Sequence, residues 1–218
     1  VLVRGGRVVE VGSNLAAPGA QVTEANGRPL TPGLFGGISG LGISEIELES
    51  STVDRAALVD SGASGPDFVP RPEFDVTQAF NPDSAVIGVN RAEGITFAMI
   101  APMASGTLFA GQGAVARLDG SDSPFVAASR TQFLDMGPSA TEGVGFSRGA
   151  QFMLLEQATR EVLPGKPLQA GDVRLLTPTG REVFARYRAG GRMAFGVERA
   201  VEIRQVLEFA TRHGVKPV

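Results

Sequence analysis

The spacing of apolar residues changes character several times along this chain, and each change marks an element. Two short valine-rich runs, residues 1–4 and 7–11, flank Gly5-Gly6, a two-residue turn suited to a hairpin. A polar loop with Pro18-Gly19 follows, then a third short strand at residues 21–25 before the turn at Asn26-Gly27. Such a hairpin is marginal in water unless something covers it. Residues 30–42 form a short apolar strand, entered through Pro32-Gly33 and left through Gly36, Gly37, Gly40 and Gly42. Glycines in that position allow another group to approach the backbone closely.

The apolar pattern then breaks down. Residues 43–82 are acidic, serine-rich and proline-rich, which predicts a long loop. Glu45, Glu47 and Glu49 alternate within it, so an extended backbone would put three carboxylates on one side. They read either as metal ligands or acid–base groups, or as a solvated acidic edge. Asn81 or Asp83 can cap a helix over residues 85–93 that stops at Gly94. Residues 95–102 are an almost unbroken apolar run of strand length. Helix, glycine and a strand apolar on both faces predict a parallel sheet covered by helices.

Gln112 stands between two glycines in the next segment, residues 105–120. No Lys-Ser/Thr follows Gly111-Gln112-Gly113 at phosphate-loop spacing, and no helix starts there. Gln112 can hold a substrate amide or carbonyl, or satisfy neighbouring backbone groups in a bend. Two short strands are predicted at residues 125–128 and 131–135. Ser147 caps a helix with Phe152, Leu155, Ala158 and Val162 at helical spacing, ended by Pro164-Gly165. After a connector at 164–176, Thr177-Pro178 is a cap followed by proline at the first helical position, with Val183, Phe184 and Tyr187 as the apolar face. Residues 193–197 form a buried strand. A helix over 199–213 is expected to bury Ile203, Val206, Leu207 and Ala210, and Gly214 closes it. Strands recurring after helices imply right-handed crossovers and a parallel sheet.

Composition narrows the chemistry. The 218 residues are 43% hydrophobic, enough for a sizeable core and a soluble chain. A net charge of −3 and a pI near 5.3 give no electrostatic case for nucleic acid or an anionic membrane. No apolar run approaches the ~18 to 20 residues of a membrane span. Cytoplasm and bacterial periplasm both fit. There is no cysteine and one histidine, His213, which excludes disulfides, thiolate sites and a Ser/His/Asp triad built at strand ends. His213 falls at a helix C-terminus, where the dipole favours a cation. Lys166 and Lys216 are the only lysines, both in loops or edges.

Three stretches carry a resemblance. Asn26-Gly27-Arg28-Pro29-Leu30-Thr31-Pro32-Gly33-Leu34 resembles the segment that opens the barrel in the amidohydrolase superfamily, on its imidazolonepropionase-like branch. Residues 81–120 resemble the same proteins in the helix begun by Asn81-Pro82-Asp83-Ser84, the strand at Gly94-Ile95-Thr96, and Ala110-Gly111-Gln112-Gly113-Ala114. Residues 193–214 are the third. The resemblance implies a partial (β/α)8 barrel of α/β class. Residues 1–30 would be the N-terminal part of a small β-sandwich, and residues 31–218 the first half of a metal-dependent-hydrolase-like barrel with a long loop at 43–82. A whole barrel needs ~250 residues, so the chain reads as the N-terminal portion of a longer protein or a truncated gene product.

The resemblance also implies a hydrolase of non-peptide carbon–nitrogen bonds acting on a small molecule, usually with zinc. Here the family pattern is broken. The first strand of relatives carries two metal-binding histidines one residue apart, and those positions are Ile38 and Gly40 in this chain. Relatives place another histidine on the strand at 193–197, where the candidates are Gly196 and Glu198, with Glu202 as the acidic position before Ile203. Glu198 reads as a ligand or base at a strand end, or as a surface partner of Arg199 or Arg192. Two functions follow: a hydrolase whose metal ligands are not visible in this chain, or a catalytically inactive amidohydrolase-like barrel that binds a ligand or partner subunit. A homo-oligomer is compatible with either.

Overall fold

The computed structural model describes residues 1–57, 59–60, 66–67, 69–141, 146–165, 171 and 174–218. Parts of the 43–82 loop and of the 164–176 connector, Lys166 included, lie outside the described residues. The chain forms two compact units, Val1–Pro32 and Gly33–Val218.

In the first unit β1 (Leu2–Arg4) and β2 (Arg7–Glu10) pair antiparallel. Gly5 and Gly6 have φ of 55° and 73°, the two positive values that a type I′ turn demands and that glycine adopts without a Cβ clash. The third strand expected at 21–25 does not form. Its one large apolar residue, Val22, is 75% exposed, so nothing is buried to offset the ordering of a strand.

The second unit is a mixed α/β fold. Its strands are β3 (Leu34–Ser39), the short antiparallel pair β4 (Val59–Asp60) and β5 (Pro66–Asp67), then β6 (Ile95–Ile100), β7 (Phe109–Arg117), β8 (Thr131–Asp135), β9 (Arg192–Gly196) and β10 (Lys216–Pro217). Among the described residues there are four α-helices: α1 (Ala85–Ala92), α2 (Arg148–Glu161), α3 (Pro178–Arg188) and α4 (Ala200–His213). Six strands make one sheet in the order β10-β9-β8-β7-β6-β3. No helix among the described residues is long and apolar enough to cross a membrane.

The alternation of helices and strands predicts a wholly parallel sheet, and the sheet is instead mixed. β3 and β6 are parallel, and so are β8, β9 and β10, but β7 runs antiparallel to both β6 and β8. The reason is the connections. Residues 101–108 and 118–130 contain no helix, and a parallel return needs a crossover of about a dozen residues or more, usually helical. β7 therefore turns back, and β8 turns back again. Residues 125–128 do not form a strand either. Phe125 makes a single bridge to Ala116, Ala128 turns to φ 58°, and the Ser129 hydroxyl takes the Val115 N–H at 3.0 Å.

The core divides across the sheet. Leu134, Met136, Leu155, Phe184, Met193 and Phe209 belong to the large cluster between α2, α3, α4 and the strands. A second cluster sets Ile87 of α1 against Ala98, Ile100 and Ala116. The third is built of small residues, Ala101, Ala104, Ala110 and Ala140, around Phe133.

Local signals set the helix ends. Ser147 accepts from the Ala150 N–H at 3.3 Å, Thr177 accepts from Gly180 at 2.9 Å ahead of Pro178, and Gly214 closes α4 in the left-handed conformation. At α1 the cap residue is Ser84, not Asn81 or Asp83; Asn81 Oδ1 instead accepts from the Asp83 N–H at 3.0 Å, and Ser84 Oγ donates to Glu45. α4 also presents a different face from the one expected. Glu202, Val206, Phe209 and Ala210 are buried, whereas Ile203 and Leu207 are 49% and 52% exposed. The rotation follows from Glu202, which is anchored beneath the helix by ion pairs to Arg148 and Arg199.

Candidate functional site

The parallel strands β3, β6, β8 and β9 all end at the same edge of the sheet. The Ala101 N–H donates to Ser39 O and the Met136 N–H to Gly196 O, so residues 39–40, 101–103, 135–137 and 196–198 share that edge. In α/β folds this is where chemistry is placed.

Ile38 is 71% exposed and pairs in register with Met99. Gly40 is overlaid by Arg55: a β-carbon built on Gly40 would stand 2.6 Å from Arg55 Cδ. Arg55 is fixed there by a 2.6 Å ion pair with Glu47 and by its own carbonyl, which accepts the Met103 N–H at 2.7 Å. A zinc ion does not fit this arrangement. Isoleucine and glycine offer no donor, a guanidinium occupies the adjoining space, and zinc needs nitrogen, sulfur or carboxylate ligands converging tetrahedrally. Among the described residues no three His, Cys, Asp or Glu side chains are grouped to hold a metal ion.

The three carboxylates of the acidic loop each turn to a different task. Glu45 accepts from Asn81 Nδ2 and Ser84 Oγ, tying the loop to the start of α1. Glu47 accepts from Ser44 Oγ and pairs with Arg55. Glu49 accepts from the Ser51 hydroxyl and N–H, and these hydrogen bonds hold its carboxyl below the usual range.

Glu198 stands just past the end of β9, its side chain 61% exposed and 3.9 Å from Arg148. Neither expected partner reaches it: Arg199 is drawn to Glu202 at 2.6 Å, and Arg192 lies at the other end of β9. Asp135, which the sequence pattern passes over, ends β8 beside it. Its Oδ1 accepts the Gly137 N–H at 2.6 Å and its Oδ2 accepts the Ser139 hydroxyl at 2.5 Å. A β-carbon on Gly137 would lie 2.9 Å from Asp135 Oδ1 and 3.6 Å from Glu198 Oε1, so the two carboxylates border one glycine. An acidic residue closing a predicted strand was the available signal. His213 bridges α4 to α2, its Nε2 2.9 Å from Glu156 Oε2 and its ring 4.6 Å from that of Phe209.

Gln112 lies midway along β7, paired with Gln132 near the start of β8. Gly111 and Gly113 let β7 approach its neighbours closely: a β-carbon on Gly111 would meet Phe74 O at 2.7 Å. The Gln112 N–H donates to Phe74 O at 2.6 Å and its Nε2 to Glu73 O at 3.1 Å, while Oε1 accepts from the Tyr187 hydroxyl at 3.0 Å. The carboxamide thus forms the floor of a cleft of about 580 Å³ whose walls include Asp75, Arg130, Arg186, Tyr187 and Arg192. Burial pushes the Tyr187 phenol above its ordinary value; Arg130 and Arg186 pull it down, and Asp75 adds to the rise. Tyr187 is therefore a neutral donor. Replacing Tyr187 by Phe leaves a buried carbonyl oxygen without its partner, and we expect a loss of about 1 to 2 kcal/mol in chemical denaturation. Unchanged stability would mean that water takes the place of the hydroxyl.

No family model matches this sequence, and no curated protein matches it. One solved structure does resemble the fold. An amidohydrolase from Thermotoga maritima MSB8 superposes with a TM-score of 0.76 at 22% identity, over 99% of this chain and 58% of that one. This chain therefore spans 58% of the length of the structure that it resembles, and what the likeness establishes is the fold.

Proposed function

We propose that this chain is part of an amidohydrolase-type (β/α)8 barrel of the imidazolonepropionase-like branch, preceded by a β-sandwich segment. We propose further that it uses the scaffold to bind a small ligand or partner subunit instead of hydrolysing carbon–nitrogen bonds with zinc. The likeness in fold and the segments at 26–34, 81–120 and 193–214 support the barrel. The loss of hydrolysis rests on one observation: Arg55 fills the space above Gly40. A cation held where relatives keep metal-binding histidines both removes the ligand and repels the metal.

Hydrolysis of a non-peptide carbon–nitrogen bond is the second reading, and Asp135 with Glu198 favours it. Two carboxylates at adjacent strand ends, both bordering Gly137, are a donor set for acid–base work. Elemental analysis separates the two. Protein purified without chelators is expected to hold well under about 0.1 zinc per chain, because among the described residues no site gathers enough donors. Stoichiometric zinc that disappears in Asp135→Asn/Glu198→Gln would overturn the binding reading and make that pair the place of the chemistry.

A further inference from the structure

The cleft over Gln112 gathers more positive charge than the rest of this acidic chain would suggest. Arg130 immediately precedes β8, Arg186 comes from the last turn of α3, and Arg192 begins β9. Three guanidiniums from three elements line one cleft, with Asp75 as the carboxylate among them. Asp75 is already engaged: its Oδ1 accepts from the Thr77 N–H and hydroxyl, and its Oδ2 pairs with Arg130. Among the described residues neither Arg186 nor Arg192 has an ion-pair partner. Arg186 also suits the C-terminal end of α3, where the helix carbonyls carry partial negative charge. Arg130 is held there by Asp75, and Arg192 has no comparable reason to converge.

The backbone is shaped for this convergence. A β-carbon on Gly191 would stand 2.7 Å from Tyr187 Cα, so the chain turns tightly after α3 only with glycine there, and the turn delivers Arg192 beside Tyr187. Ala128 lines the same cleft at φ 58°, a left-handed conformation that is strained for a non-glycine residue and collects at ligand sites. About 580 Å³ is ample for a small molecule. Guanidiniums bind planar or tetrahedral oxyanions through paired N–H donors, and the neutral Tyr187 and Gln112 below them add no competing charge.

We propose that this cleft binds a small organic oxyanion, a carboxylate or phosphate group, through Arg130, Arg186 and Arg192. The proposal stands whether or not Asp135 and Glu198 catalyse anything.

The test is calorimetric titration of the full chain with inorganic phosphate and, separately, with succinate, at ionic strength matched by chloride. A saturable one-to-one isotherm is expected with at least one of them, weakened about tenfold or more in Arg186→Gln/Arg192→Gln. Phosphate alone would point to a phosphorylated ligand and succinate alone to a carboxylate. Both side chains are exposed, so the double variant should keep the wild-type far-ultraviolet spectrum. Should it misfold, protection of Arg130, Arg186 and Arg192 from phenylglyoxal by the bound anion in the wild-type chain reads the same contact by mass spectrometry. Saturable binding in neither titration, undiminished affinity in a folded double variant, or no protection would each overturn the proposal.

Discussion

Replacing Gly113 by alanine is expected to cost about 3 kcal/mol, the upper end of what overpacking does to a core. A β-carbon at that position would lie 2.1 Å from the carbonyl oxygen of Ile100 and 3.0 Å from Phe133 Cε2. The ring can tilt away, but the carbonyl cannot, because Ile100 is paired with Ala114 one residue on. Relief therefore requires β6 and β7 to separate at the place where β7 passes from one neighbour to the other. Gly113 has no positive φ, so alanine brings no backbone strain there and the cost is steric. Gly88 is the control. It lies inside α1, and a β-carbon there would have nothing within 4 Å, so alanine should be neutral or stabilising by up to about 1 kcal/mol. Urea denaturation of both variants decides it. Equal midpoints would show that the close approach of β6 and β7 is not what holds this part of the sheet.

The Gly113 contact shows what could be read from the chain beforehand and what could not. Glycines around Gln112 signal a close approach, but the approaching group, Ile100 O, depends on pairing between strands, which no local pattern specifies. Helix ends were legible because their cause is local. Ser147, Thr177-Pro178 and Gly214 each act on backbone within a few residues. The antiparallel course of β7 was hidden, since its signal was the lack of a helix in two connections. The candidate site fared likewise. Ile38 and Gly40 could be seen to lack metal donors, yet Arg55 could be placed over Gly40 only by the fold. Gln112 stood out by its glycines, whereas Tyr187, its hydrogen-bond partner, arrives from α3. In α4, hydrophobicity favoured Ile203 and Leu207, while the buried position belongs to a carboxylate. A pattern of apolar residues does not register a charge that is buried because it is paired.

That carboxylate should carry the other large effect. Glu202 is 1% exposed, with Arg148 Nε at 2.8 Å, Arg199 Nε at 2.6 Å, and the backbone N–H groups of Glu198 and Arg199 each at 3.0 Å. Glu202 is the buried member of this set, so removing it takes the close partner from two part-exposed guanidiniums and strips the first turn of α4 of its acceptor; Glu202→Ala is expected to cost about 3 kcal/mol. Glu198→Ala, exposed and 3.9 Å from Arg148, should stay within about 0.5 kcal/mol. The pH dependence follows from the same contacts. Burial alone would raise the Glu202 carboxyl, but the two N–H donors and the Arg199 guanidinium outweigh it and hold the group below its usual range. A carboxyl whose folded pKa is depressed adds stability that is complete above its unfolded pKa, about 4.3, and is lost as the pH falls through the folded value. The wild-type chain should therefore lose stability on acidification from about pH 5 downward more steeply than Glu202→Gln, which has no proton to take up there. Urea midpoints at neutral pH and near pH 4 measure the difference. Parallel losses in the two proteins would mean that the anchor beneath α4 acts through shape and hydrogen bonding, and that its charge contributes nothing to holding the helix on the sheet.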